Sequence, residues 1–386
     1  MVDPLLPDAE KVAALRELLP ATGAGIYLDT ATQGPLPGET AAAMREAEEW
    51  ELRVGRATAG REEDVAQRAE EARAVVAALI TADPAEISLS HGLGEALAGA
   101  IWATDWKPGD RILTTSVGVP ATVGSLSGLL RPLDVTHDVA YVGVGNDDAQ
   151  IAELLNAAMT PRTRALVVPH VAASTGTRMP LHAVADLSRR HGASLIVDAS
   201  QAAGAVPLEA AGLGADFMCL ATDTWALGPE GTGALWSARR GEGDVGTAFV
   251  GPDGLPRTTL LGLARSVGWL AMYVGLDWAL DRSVRLAAWL HAALAELDGV
   301  ELLTPVERMA TIVTFRLTAW SPEEVAEELG RRVFAILRPI PALGALRASV
   351  AWFNSEPELE RFVRAVAELG RYTPATLPRR PSLTVM

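Results

Sequence analysis

A single cysteine, Cys219, stands in a chain of 386 residues, so no intrachain disulfide can form. Its setting, DFMCLA, reads as a buried strand and not as the pocket of a nucleophile. Lysine is almost as scarce: Lys11 and Lys107 are the only two, and the other basic residues are arginine. Few amines are therefore available for imine chemistry. Basic charge is in deficit overall, 33 Lys and Arg against 48 Asp and Glu for a net −15, which disfavours nucleic acid or an anionic membrane as partner. No uncharged apolar run reaches the roughly 18 residues of a spanning helix. The opening MVDPLLPDAE lacks the basic start and apolar core of a signal peptide, so a cytoplasmic location is expected. The six histidines show no HExxH or comparable ligand spacing, and no metal site is expected.

What the chain does have is a long alternation of strand-like and helix-like segments. Residues 8 to 19 read as an amphipathic helix with Asp8 as its N-cap. IYLDTATQGPLP then begins as a short strand and ends in a proline-punctuated loop, and two Ala/Glu/Arg helices follow over roughly 38 to 53 and 62 to 80. Seven strand candidates come next: EISLS, RILTTS, VTHDVAYVGV, RALVVPH, ASLIVDA, DFMCLA and TGALWS. Most are separated by helices such as PLHAVADLSRRHG, with Pro180 at its start and Gly192 at its end. That pattern predicts an α/β fold with a mostly parallel sheet covered on both faces.

Beyond residue 256 a long apolar helix and another at 282 to 297 lead into mixed strands and helices. Two of the later helices open with capping boxes, Ser321 with Glu324 and Ser355 with Glu358. The expected organisation is an N-terminal helix (1–25) packed on the small domain, a large domain (26–255), a smaller C-terminal α+β domain (256–375) and a loose tail (376–386). Most tryptophans, including Trp102 and Trp289, are read as packing residues.

The order and spacing of HVAASTG, VDASQAAG, LGADF and WALGPEGTG resemble the class V aminotransferase and cysteine desulfurase family, within the fold-type I architecture of pyridoxal phosphate (PLP) enzymes. The resemblance implies a seven-stranded large-domain sheet and a homodimer with its site at the subunit interface. It also implies roles for residues. Asp198 matches the aspartate beneath the pyridine nitrogen, and Gln201 the glutamine near the ring oxygen. Arg347 matches the arginine that grips a substrate carboxylate, a task suited to a guanidinium fork. Thr30 and Gln33 align with the N-terminal loop lining the substrate pocket, and Thr258 and Thr259 with a loop contributed by the partner subunit.

Against that background LATDTWALGPEGTG is anomalous. The family carries Ser-Gly-His-Lys-Trp here, with the lysine holding PLP as an imine; this chain has Ala221, Thr222, Asp223, Thr224 and Trp225. A threonine hydroxyl cannot form that bond. Gly94 replaces a phosphate-binding threonine, Val119 aligns with the ring-stacking histidine, and Ala173 stands where many relatives have asparagine. Hydrogen bonds to a charged group contribute about 1.5 to 3 kcal/mol each. Losing two or three would cost about two to six decades of affinity.

These departures predict an enzyme that has turned the scaffold to PLP-independent elimination, isomerisation, condensation or hydrolysis of a small amino-acid-like or carboxylate-bearing substrate. No cofactor is expected on this reading. Asp198, Asp223, Thr224 and His91 are the candidate catalytic groups, the two aspartates as an acid/base pair if they lie close together. Arg347, Gln201, Thr30, Gln33, Trp225 and Thr259 are the candidate substrate-binding groups. One alternative keeps PLP or its amine form, PMP, bound noncovalently. Another is a non-catalytic pseudoenzyme subunit or ligand-binding protein.

Overall fold

The computed structural model describes residues 8–118, 128, 130–238 and 254–378. Its centre is a seven-stranded sheet of β2 (Ile87–Ser90), β3 (Arg111–Thr115), β4 (Thr136–Ala140), β5 (Thr163–Pro169), β6 (Ser194–Asp198), β7 (Phe217–Ala221) and β8 (Gly233–Ser237). The order is β2-β8-β7-β6-β5-β3-β4, and only β8 runs antiparallel to its neighbours. All seven expected strands are present, with VTHDVAYVGV shortened to its first half. The central strands are buried along nearly their whole length because helices cover both faces, so they read as apolar runs without alternation.

Parallel strands put their C-terminal ends on one edge, where open α/β sheets bind ligands. Asp198 ends β6 and Ala221 ends β7 on that edge, and the stretch 222–232 is the turn between antiparallel β7 and β8. Gly233 starts β8 where a Cβ would lie 2.5 Å from the Leu220 carbonyl oxygen and 2.7 Å from Gly92. Only glycine lets the turn close onto helix α4 (Gly92–Trp102), which follows the earlier helices α1 (Asp8–Glu17), α2 (Gly38–Val54) and α3 (Arg61–Leu79). Lys107 sits in the exposed turn before β3, at the opposite edge of the sheet.

The C-terminal lobe carries an antiparallel sheet of order β12-β13-β10-β9, in which β9 is Val300–Leu302, β10 Ile312–Leu317, β12 Arg338–Ile340 and β13 Ala345–Ser349. Strand β1 (Ile26–Tyr27) does not join the large sheet but pairs in parallel with Ala335–Ile336. The start of the N-terminal pocket loop is thereby tied to this lobe. The Ser321–Glu324 capping box forms as expected. At Ser355, Glu358 accepts the backbone N–H at 3.1 Å and also grips Arg16. Asp8 is the first residue of α1, and its carboxylate accepts from the Trp278 indole at 2.9 Å.

The two helices expected after residue 256 are one, Arg257–Ala295, with a π-helical segment at Trp269–Gly275. It is long and apolar enough to cross a membrane by length and composition, but half of its apolar window is packed against protein. Its inner face supplies Trp269, Leu270 and Val274 to a cluster that also contains Leu15, Trp225 and Trp352. Trp225 is therefore a joint between the turn at 222–232, the N-terminal helix and the C-terminal lobe. Trp102 and Trp289, expected as packing residues, are instead about two-fifths exposed, because each lies on the solvent side of its helix.

Candidate active site

Thr224 lies at the heart of the turn and is almost fully buried. Its hydroxyl donates to the Ser200 carbonyl at 3.1 Å and the Ala221 carbonyl at 3.3 Å, so it fastens the turn to the segment after β6. With its proton engaged by two backbone oxygens, it is a brace and not the free hydroxyl expected of a catalytic group. The N-terminal loop closes over it: Gly34 donates to the Asp223 carbonyl at 2.8 Å, and a Cβ on Gly34 would lie 2.0 Å from the Thr224 oxygen.

Asp198 is buried at the sheet edge, and its carboxylate accepts the Ser200 N–H at 2.9 Å. Burial pushes its carboxyl upward, and the Ser200 hydrogen bonds only partly oppose this. No guanidinium or ammonium lies within ion-pair distance of it among the described residues. Gln201 is committed on both sides of its amide, donating to the Ala31 carbonyl at 3.0 Å and accepting from the Trp225 indole at 2.9 Å. It positions the pocket loop and Trp225.

Asp223 is half-buried, accepts the Gly231 N–H at 2.8 Å, and has its carboxyl raised by burial and by Glu230. The two carboxylates take different backbone partners, Asp198 the Ser200 N–H and Asp223 the Gly231 N–H. His91 precedes α4 with its ring about half exposed and its Nδ1 3.0 Å from Glu95. It is grouped with α4's first turn, not with Asp198. Around Gly94 a Cβ would meet nothing within 4 Å, so there is open space beside that turn.

Arg347 is buried on β13. Its Nη2 donates to Asp29 at 2.9 Å and to Thr32, and its Nη1 to the Ala173 carbonyl at 3.2 Å. Nε is buried with no partner. Asp29 also bridges to Arg338 at 3.0 Å, while Arg338 Nε donates to Thr32 at 3.1 Å. Two guanidiniums thus share one carboxylate, leaving one net positive charge. Arg338 went unremarked in the sequence, yet it pairs directly opposite Arg347 across the β12–β13 hairpin. The turn-forming PIPALG between two apolar stretches was the signal that could have found it.

Thr30 is fully buried with an unpartnered hydroxyl, and Gln33 is half-buried with its carbonyl accepting from Tyr27 at 2.8 Å. Thr259 is half-buried in the first turn of the helix from Arg257, a helix that packs against α2. Val119 lies outside the described residues. Ser200, whose backbone N–H donates to Asp198 at 2.9 Å, was also missed, since nothing local marks it. Lys11 is buried with its ammonium 4.0 Å from the Trp278 ring centroid, a cation–π seat. Cys219 is inaccessible, its thiol held well above the usual value by burial and by Asp198.

The family profile described as aminotransferase class V matches residues 26–250, more than half of the chain. The chain belongs to the class V aminotransferase family. Among relatives of this class V chain is a probable cysteine desulfurase of Methanothermobacter thermautotrophicus, 24% identical over 92% of this chain and 97% of that protein. A probable cysteine desulfurase of Mycolicibacterium paratuberculosis is 28% identical over 78% of this chain; the match covers about half (49%) of that longer protein. An isopenicillin N epimerase of Amycolatopsis lactamdurans is 29% identical over 59% of this chain and 65% of its own. The fold matches a lysine-to-alanine mutant of C-DES with glycine covalently linked to its PLP cofactor, at a TM-score of 0.82, 21% identity, and coverage of 91% of this chain and 98% of the other. Fold-type I architecture is thereby established.

The expectation of no cofactor is corrected by these findings. The family, and a structural neighbour that holds PLP with a lysine removed, overturn the inference that a missing lysine empties the pocket. The residues present also fit the group at its ring end, where a buried carboxylate without a cationic partner suits a protonated ring nitrogen. At the phosphate end the first turn of α4 offers backbone amides and open space at Gly94, a setting suited to an anion. The loss of side-chain hydroxyls at Gly94 and Ala221 weakens that end without closing it.

Proposed function

We propose that this class V chain is an enzyme that holds PLP or PMP noncovalently and acts on a small, carboxylate-bearing, amino-acid-like substrate. The observation that carries this reading is Asp198: a carboxylate buried at the ligand edge of the sheet with no cation beside it. When bound, the cofactor supplies an electron-withdrawing ring that stabilises negative charge at a substrate carbon. Asp198 would keep the ring nitrogen protonated, and Thr224 and Gln201 would hold the turn and the N-terminal loop closed over it. Arg347, with its buried Nε unsatisfied, would orient the substrate carboxylate.

Desulfuration onto an enzyme thiol is disfavoured. It needs an accessible cysteine, and Cys219 is buried in β7 with its thiol strongly protonated. The reading therefore points to chemistry completed on the substrate itself.

The test is titration of the purified protein with PMP and with PLP, followed by calorimetry and absorbance. Saturable binding that gel filtration removes, with no mass added by borohydride, is the expected result. Absence of binding by both forms would sink the proposal. On the same reading the protein is a homodimer: Trp50, Leu52 and Val54 expose apolar surface at the end of α2, beside Thr258. Leu52→Asp should shift the species measured by light scattering from dimer toward monomer, and unchanged mass would count against this interface.

A further inference from the structure

The small sheet turns two arginines toward the large domain, and only one of them is enclosed. Arg338 pairs directly with Arg347 across the β12–β13 hairpin, and directly paired residues project from the same face of a sheet. That face looks toward the segment after β5: Arg347 reaches the Ala173 carbonyl at 3.2 Å, and Thr314, its neighbour on β10, reaches the Ser174 carbonyl at 2.9 Å. Because β12 is the outer strand, Arg347 lies deep, its side chain 7% exposed, and Arg338 lies at the rim, 45% exposed. Asp29 takes both guanidiniums, and among the described residues no second carboxylate is within ion-pair distance of either. One positive charge is left over. So are two donors. Arg347 Nε is buried without a partner, and Arg338 Nη1 makes no hydrogen bond among the described residues, while Thr32 and Asp29 hold the other two nitrogens of Arg338. The loop carrying Asp29 and Thr32 is also fastened to the ligand edge of the large sheet, through Gln201 on the Ala31 carbonyl at 3.0 Å and Gly34 on the Asp223 carbonyl at 2.8 Å. The arginine pair and the edge that carries Asp198 therefore border on one short loop.

Resting on the noncovalent reading above, we infer that Arg338 determines specificity and that the substrate is an amino dicarboxylic acid, its first carboxylate oriented by Arg347 in the depth of the site and its second met by Arg338 at the rim. A guanidinium offers parallel donors that match a carboxylate. Here Asp29 and Thr32 fix the Arg338 plane in advance, so little freedom is lost when its third nitrogen is engaged. A monocarboxylic substrate leaves that nitrogen and the surplus charge unused. Because Arg338 is nearly half exposed and screened by water, its expected contribution is about tenfold in affinity, the low end for hydrogen bonds to charged groups.

The experiment is calorimetry on PMP-loaded protein with pairs of unreactive acids of equal chain length: succinate with butyrate, glutarate with pentanoate, and adipate with hexanoate. Wild type should bind the diacid of at least one pair about tenfold more tightly than its monoacid. Arg338→Gln should lose that preference by weakening the diacid about tenfold while leaving the monoacid unchanged, and Arg338→Lys, which keeps the charge without the fork, should fall between. No preference in any pair overturns the inference. So does a Gln variant that weakens both acids alike, since Arg338 is then only a brace for Asp29. If PMP binds and the preference is missing, the cofactor reading survives and the assignment of Arg338 falls alone. If PMP does not bind, the cofactor reading falls and takes this inference with it.

Discussion

Thr224→Lys is expected to convert reversible cofactor binding into a covalent attachment. The position lies in the buried turn between β7 and β8, next to Ser200 and two residues from Gly34 of the covering loop in hydrogen-bond terms. An amine held there faces the pocket as an intramolecular reactant, and placement of that kind raises apparent affinity by about 100-fold or more. With PLP, the variant should retain colour through desalting, and borohydride should add one pyridoxyl phosphate mass to the peptide containing residue 224. Wild type should show neither. The native lysines do not compete, since Lys11 is seated over Trp278 and Lys107 lies at the far edge of the sheet. An adduct on either of them in wild type, or none in the variant, would refute the placement of Thr224.

Asp198→Asn should have opposite effects on binding and on stability. With PMP bound, the carboxylate and the protonated ring form a buried pair, and removing one partner of such a pair costs about 3 to 5 kcal/mol. That is a loss of about two to four decades in PMP affinity. Without cofactor the same carboxylate is buried and uncompensated. Its folded-state pKa is raised by burial, so its contribution favours the folded protein below the unfolded carboxyl value and is lost as pH rises through the folded one. At neutral pH it is a burden on the free protein, which asparagine removes. Thermal unfolding of the free variant at pH 7 should therefore occur at or above the wild-type temperature, with the advantage shrinking in acid. A variant that binds PMP as wild type does, or that unfolds well below it, would contradict this assignment. A buried charge retained at the expense of stability is what a ligand site requires.

The scaffold was legible because its signals are local. Strands β5 to β7 read as continuous apolar runs, the helix from Leu181 to His191 is bracketed by Pro180 and Gly192, and WALGPEGTG keeps its glycines where the backbone passes close to α4. The anomaly at residue 224 was legible for the same reason, since the flanking motif sets its register. Its consequence was misread. A missing lysine removes a bond, but a buried carboxylate such as Asp198 still calls for a cation, and sequence alone does not reveal whether a carboxylate has found one.

The partners of the polar residues were decided by the tertiary structure. Asp29, Arg338 and Arg347 converge from segments about 300 residues apart, because β1 pairs with the C-terminal lobe and the β12–β13 hairpin sets two arginines face to face. Thr224 became a brace and Gln201 a positioning group once the carbonyls of Ser200 and Ala31 came within reach. Asp198 and Asp223, each at the end of a neighbouring segment, took separate backbone partners in Ser200 and Gly231. Residue order and spacing determined the family and the sheet, because those follow from periodicity and from steric demands within a few residues. Burial, charge pairing and the direction of each pKa shift depend on groups brought together across the fold, and only the folded chain brings them there.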